Sequence, residues 1–101
     1  MKKTVKVDEE LKDLMPVYLK ARREEAATLA KLLEAGDFDA LWTIGHKLHG
    51  SGGGYGLDFL SEVGERMEKS AKDLDKSALT AQAAELADFL NTVEIEFVPV
   101  E

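Results

Sequence analysis

Two histidines stand three residues apart near the middle of the chain, in the run Gly45-His46-Lys47-Leu48-His49-Gly50-Ser51-Gly52-Gly53-Gly54-Tyr55-Gly56-Leu57. They are the only histidines, and no cysteine is present, so an imidazole or thiol nucleophile has to be one of these two rings. Imidazole is largely neutral near pH 7, which leaves one ring nitrogen free to attack an activated phosphoryl group and later release it. Such transfer is mostly positioning plus charge stabilisation, so the ring must be held exposed with a cation near the phosphate oxygens. Arg22, Arg23 and Lys47 are the candidate cations, a small basic group in an otherwise acidic chain.

The elements that position these residues are helical. With one helix from Asp37 to Gly54 at about 100° per residue, Trp42, His46, His49 and Gly53 fall within about 60° of one another, and Gly50 adjoins them. The core stripe of that helix is Phe38, Leu41, Gly45, Leu48, Gly52 and Tyr55, with His46 well off its direction and His49 nearer to it. Glycine inside a helix costs roughly 1 kcal/mol relative to alanine, so Gly45, Gly50, Gly52 and Gly53 call for a reason. Either the helix ends at His49 and residues 50 to 56 form a flexible loop, or the missing side chains let another surface come close to His46.

Three further stripes keep helical spacing: Leu19, Ala26, Leu29 and Leu33; Leu57, Leu60, Gly64, Met67, Ala71 and Leu74; Leu79, Ala83, Leu86, Leu90 and Val93. Pro16 can open the first of these helices, and Gly36 followed by Asp37 reads as a helix stop and an N-cap. Asp58 and Ser77 are further cap candidates, and a short helix is expected near Asp8 to Leu14. Strand-like alternation is almost absent. Short connections make consecutive helices antiparallel, so the expected fold is all-α, an up-down-up-down four-helix bundle with a short N-terminal helix. It forms one domain over residues 1–101, with a core at about 8–92 and a weakly alternating tail at 93–101, expected to be extended, to which no function is assigned.

In a hairpin turning near Gly36, position 46 lies opposite about position 26. Ala26 and Ala27 would then flank the imidazole, with Arg22 and Arg23 one turn away. The same estimate for the next helix brings Glu65 and Arg66 near His46, where a carboxylate could keep one ring nitrogen protonated and the other nucleophilic.

Composition sets the class. The 101 residues are 45% hydrophobic, enough for one modest core. A net charge of −7 works against nucleic-acid binding and against an acidic membrane surface. Met1 to Val7 has no apolar signal region, and no stretch approaches the roughly 20 apolar residues of a membrane span. The expectation is a cytoplasmic, free-standing monomer whose four stripes close a single core.

The run from Gly45 to Leu57 resembles the signature of histidine phosphotransfer (HPt) domains: a histidine followed by leucine, lysine, glycine, serine and small residues up to a further glycine. The similarity extends back through Gly36-Asp37-Phe38 and Arg22-Arg23-Glu24 and forward through Leu60-Ser61 and Met67-Glu68. The resemblance implies that His46 is the phosphoacceptor, carried on a helix of a four-helix bundle. It implies exchange with an aspartate on the receiver domain of a response regulator or hybrid histidine kinase. That receiver would supply the magnesium ion and acidic cluster, so the chain needs no cofactor of its own and acts as a carrier and not a kinase. His49, Gly50, Gly53, Lys47, Arg22, Arg23 and Trp42 are the residues expected near the phosphate or the partner. One position departs from the pattern, since the family usually has lysine where His49 stands. A partly protonated imidazole replaces that charge only in part, so His49→Lys is expected to raise transfer.

Three other readings compete. His46 and His49 could chelate zinc or nickel with Glu62 or Glu65, but no other histidine and no cysteine is available as a further ligand, so no metal is expected. Trp42 and the glycine face could dock a receiver or kinase with no chemistry at all. Nucleotide binding by the glycine cluster fails on pattern, since neither Gly-x-Gly-x-x-Gly nor a phosphate-binding loop is present.

Overall fold

The computed structural model describes residues 3–99; Met1, Lys2 and the last two positions of the expected tail, 100 and 101, lie outside the described residues. Four α-helices are present among them: α1 (Met15–Ala35), α2 (Phe38–Ser51), α3 (Asp58–Lys72) and α4 (Lys76–Thr92). α2 packs chiefly against α3, α3 against α4, and α1 against α4 and α2.

Local chemistry sets the helix ends. Pro16 lies in the first turn of α1, where no N–H is missed. Gly36 adopts a left-handed φ of 66° and its N–H closes on the carbonyls of Leu32 and Leu33. Asp37 then caps α2, its carboxylate accepting from the Ala40 N–H at 3.1 Å. At the other two helices the expected caps are corrected. Asp58 is the first residue of α3, following Leu57, and Asp75 rather than Ser77 caps α4 by accepting from the Ala78 N–H at 3.0 Å.

The apolar stripes meet in one core that includes Leu19, Leu29, Leu33, Leu41, Leu48, Leu60, Met67, Leu79, Leu86 and Leu90. Leu74 leaves its expected stripe: it sits at φ 56° in the turn between α3 and α4 with 65% of its surface exposed. Conversely Val7, Met15, Tyr18, Ile44, Val63 and Phe89 are buried and complete the core.

Two departures concern the chain ends. The short helix expected near Asp8 to Leu14 is a single 3-10 turn, Glu9–Leu11. The chain is not purely helical either: β1 (Lys3–Asp8) and β2 (Val93–Val98) form a parallel pair, with Val5 opposite Ile95 and Val7 opposite Phe97. Those four side chains pack toward the core while Thr4, Lys6, Glu94 and Glu96 are exposed, a period of two that separates an apolar from a charged face. Parallel strands need a long crossover, and here the whole helical region supplies it.

Candidate functional site

α2 continues through His49 and Gly50 to Ser51, and Gly52 keeps helical angles before a 3-10 turn at Gly53–Tyr55. The turn is built, not loose. Tyr18 stacks on Tyr55 with ring centres 3.9 Å apart, and its hydroxyl is 2.7 Å from Ser51 Oγ. Gly56 closes the segment at φ 76°, facing Val7 of β1.

The glycines divide into two groups. At Gly45 a Cβ would lie 2.9 Å from the Gly64 carbonyl oxygen and the Met67 Cβ, and at Gly52 it would lie 2.7 Å from the Ser61 nitrogen. At Gly64 it would meet the His49 nitrogen, the Gly45 carbonyl oxygen and the Leu48 Cβ. These three glycines bring the backbones of α2 and α3 together. Gly50 and Gly54, by contrast, would meet nothing within 4 Å, and Gly53 only an Asp58 oxygen at 4.0 Å. Their missing side chains leave the surface bare at and beyond the C-terminal end of α2.

His46 stands on α2 with 62% of its side chain exposed. Trp42, one turn earlier, stacks on it with ring centres 4.7 Å apart and planes 10° apart, which holds the plane of the imidazole parallel to the indole. From α3, Glu68 Oε1 lies 3.6 Å from His46 Nδ1 and 2.7 Å from His49 Nδ1. An ionised carboxylate only accepts, so a proton belongs on the Nδ1 that bonds it, and the ring's lone pair is left on Nε2. Only the His49 contact is short enough for a hydrogen bond, so it is the His49 ring whose tautomer Glu68 sets directly.

The expected neighbours of the histidines are partly revised. The carboxylate at the rings is Glu68, not Glu65, and Arg66 pairs instead with Glu85 of α4 at 2.9 Å. Lys47 Nζ lies 3.6 Å from Glu25 Oε2, so the hairpin register of α1 and α2 agrees with the turn at Gly36. The rotation of α1 does not. Arg23 donates to the Leu90 carbonyl at 3.1 Å, and with Ala26 and Ala27 it lines a crevice shared with Ala87, Leu90 and Asn91 of α4. Arg22 lies over the Tyr18 ring and pairs with Glu25 at 2.8 Å. Thus Trp42, His46 and His49 come together through the ring stack and Glu68, Gly50 and Gly53 are exposed further along the chain, Lys47 and Arg22 are engaged by Glu25, and Arg23 is turned to α4.

A shallow depression lined by Trp42, His49, Glu65, Glu68, Lys69 and Lys72 borders the rings. The Lys69 ammonium is held above its ordinary pKa by a hydrogen bond to, and the charge of, Asp73. Among the described residues no group of three or more histidines and carboxylates is placed to hold a metal ion, and no helix is long and apolar enough to cross a membrane.

The helical domain thus presents two exposed imidazoles that share one carboxylate oxygen. Residues 13–95 match the family model for the Hpt domain, and the chain therefore belongs to the Hpt domain family. Hpt domains are histidine phosphotransfer modules of phosphorelays, carriers and not kinases, and they interact with receiver domains. No curated protein and no solved structure matches the chain.

Proposed function

We propose that His46 is the phosphoacceptor and that this chain exchanges its phosphoryl group with an aspartate of a receiver domain in a response regulator or hybrid histidine kinase. The observation that carries this is the ring itself: exposed, stacked on Trp42, and with Nδ1 3.6 Å from a Glu68 carboxylate oxygen. In the forward step the Nε2 lone pair bonds to phosphorus while the bond to the aspartyl oxygen breaks, and the aspartate leaves as a carboxylate. The imidazole keeps its Nδ1 proton and becomes cationic, a charge that Glu68 stabilises. In the reverse step the aspartate carboxylate attacks and the neutral ring leaves. Magnesium and the acidic cluster come from the receiver, with no cofactor held by this chain. The four helices act as an up-down-up-down bundle, as a cytoplasmic monomer.

The test mixes the protein with phosphorylated receiver domains and magnesium, then reads intact mass and the phosphorus NMR spectrum. One acid-labile phosphoryl group is expected. No phosphate, from receivers able to phosphorylate another Hpt protein, would leave a docking module in place of a carrier.

Gly50 offers a separate check on the open face. Gly50→Ala meets no atom and removes a helix-interior glycine, so stability is expected to rise by up to about 1 kcal/mol in urea unfolding. Transfer is expected to slow roughly tenfold, because a displacement near 1 Å at a reacting centre costs up to about a hundredfold. An unchanged transfer rate would show that the partner does not approach over Gly50.

A further inference from the structure

Glu68 is shared. Among the described residues the two imidazoles are the groups paired with it, and they converge on one oxygen: His49 Nδ1 at 2.7 Å, His46 Nδ1 at 3.6 Å. The first distance is that of a strong, charge-assisted hydrogen bond, and the second is longer than a hydrogen bond. So the group that fixes the carboxylate is His49. His49 is itself fixed, since its backbone nitrogen lies against Gly64 and its carbonyl accepts from Ser61 Oγ at 2.8 Å.

The geometry points to His49 as a positioning residue: its Nδ1–H tethers Glu68 so that the carboxylate faces Nδ1 of His46 and keeps the His46 lone pair on the outward Nε2. This rests on reading His46 as the acceptor and adds how that acceptor is held in one tautomer. The chemistry favours histidine for the task. The imidazole donor is one atom beyond Cγ on a rigid ring, whereas a lysine ammonium rides on a long, freely rotating stem. The expected gain from lysine at this position concerned charge delivered outward; the bond to Glu68 gives His49 an inward task.

Two amides separate the inward from the outward role. In His49→Asn the side-chain nitrogen sits as many bonds from Cα as Nδ1 does, so it can still donate to Glu68 while nothing replaces Nε2. In His49→Gln the nitrogen matches Nε2, and the tether is broken. With a phosphorylated receiver as donor, Asn is expected to stay within about threefold of the wild-type rate and Gln to fall about tenfold, the scale typical of removing a supporting hydrogen bond. Nitrogen-15 NMR of the unphosphorylated protein should find the His46 ring protonated on Nδ1 in the wild type and the Asn variant, and mixed between tautomers in the Gln variant. Thermal melts confirm that both variants fold.

The reverse ranking, with Gln near wild type and Asn impaired, would make His49 an outward phosphate contact and overturn the tether. Equal rates and equal ring spectra would overturn it too. A failure of the carrier reading looks different: the wild type itself would take no phosphate on His46, while the ring spectra, which need no phosphate, still decide whether His49 sets the tautomer.

Discussion

His46→Gln should take no acid-labile phosphate from a phosphorylated receiver, against one phosphoryl group on the wild type. Glutamine keeps a nitrogen at the reach of Nε2, but its lone pair is delocalised into the amide and does not attack phosphorus. The change is expected to be chemical and not structural. The side chain is 62% exposed, and the main interaction it gives up is the stack on Trp42. Such a pair is worth about 0.5–1.5 kcal/mol, a small part of the roughly 5–15 kcal/mol typical of a folded domain. A variant that melts close to the wild type and takes no phosphate therefore assigns the chemistry to the ring. Phosphate retained on His46→Gln would sink the assignment and direct attention to His49, whose side chain is 42% exposed. A variant that binds the receiver as tightly as the wild type separates the chemical role from docking.

The helical part of this fold was legible because its signals are local. Apolar spacing, the proline in the first turn of α1 and the Gly36-Asp37 junction each depend on a few neighbouring residues. Of the β1–β2 pair only the weak alternation of the tail was legible. Its strands are six residues long and lie at opposite ends of the sequence, so each alternation, Val5 with Val7 and Ile95 with Phe97, gains meaning only from the other. Trp42 and His46 could be placed on one face from helical geometry alone. Glu68 was missed for a specific reason. A Cβ at Gly45 would touch Gly64, Met67 and Glu68, and one at Gly64 would touch Gly45, Leu48 and His49, so the backbone opposite His46 is close to the estimated Glu65 and Arg66. Side chains on a helix lean toward its N-terminus, however. On antiparallel helices a side chain reaching that level starts about one turn later, at Glu68 on α3 and His49 on α2. Arg23 failed differently. Register along α1 follows from the turn, but rotation about its axis depends on α4, which no local signal reports.

The largest effect on stability is expected from Gly64→Ala. The added Cβ would meet the His49 nitrogen, the Gly45 carbonyl oxygen and the Leu48 Cβ, none of which is the far end of a flexible side chain. Relief requires α2 and α3 to separate, and these are the helices that pack most extensively. Overpacking a tight core costs about 1–3 kcal/mol, and a clash with backbone on both sides belongs at the upper end, so we expect a loss of about 3 kcal/mol. In a domain of this size that lowers the melting temperature by roughly 12–24 °C. Alanine favours helix over glycine by up to about 1 kcal/mol, so the local propensity gain offsets only part of the clash. Transfer should fall along with stability, because the displaced atoms include the backbone of His49, and with it the tether on Glu68. Gly50→Ala provides the contrast on the same helix pair: the same chemical change, more stable, with only the partner's approach impaired. Equal melting temperatures for the two variants would show that close backbone contact does not hold α2 against α3, and would leave the conformational strictness of the site without its support.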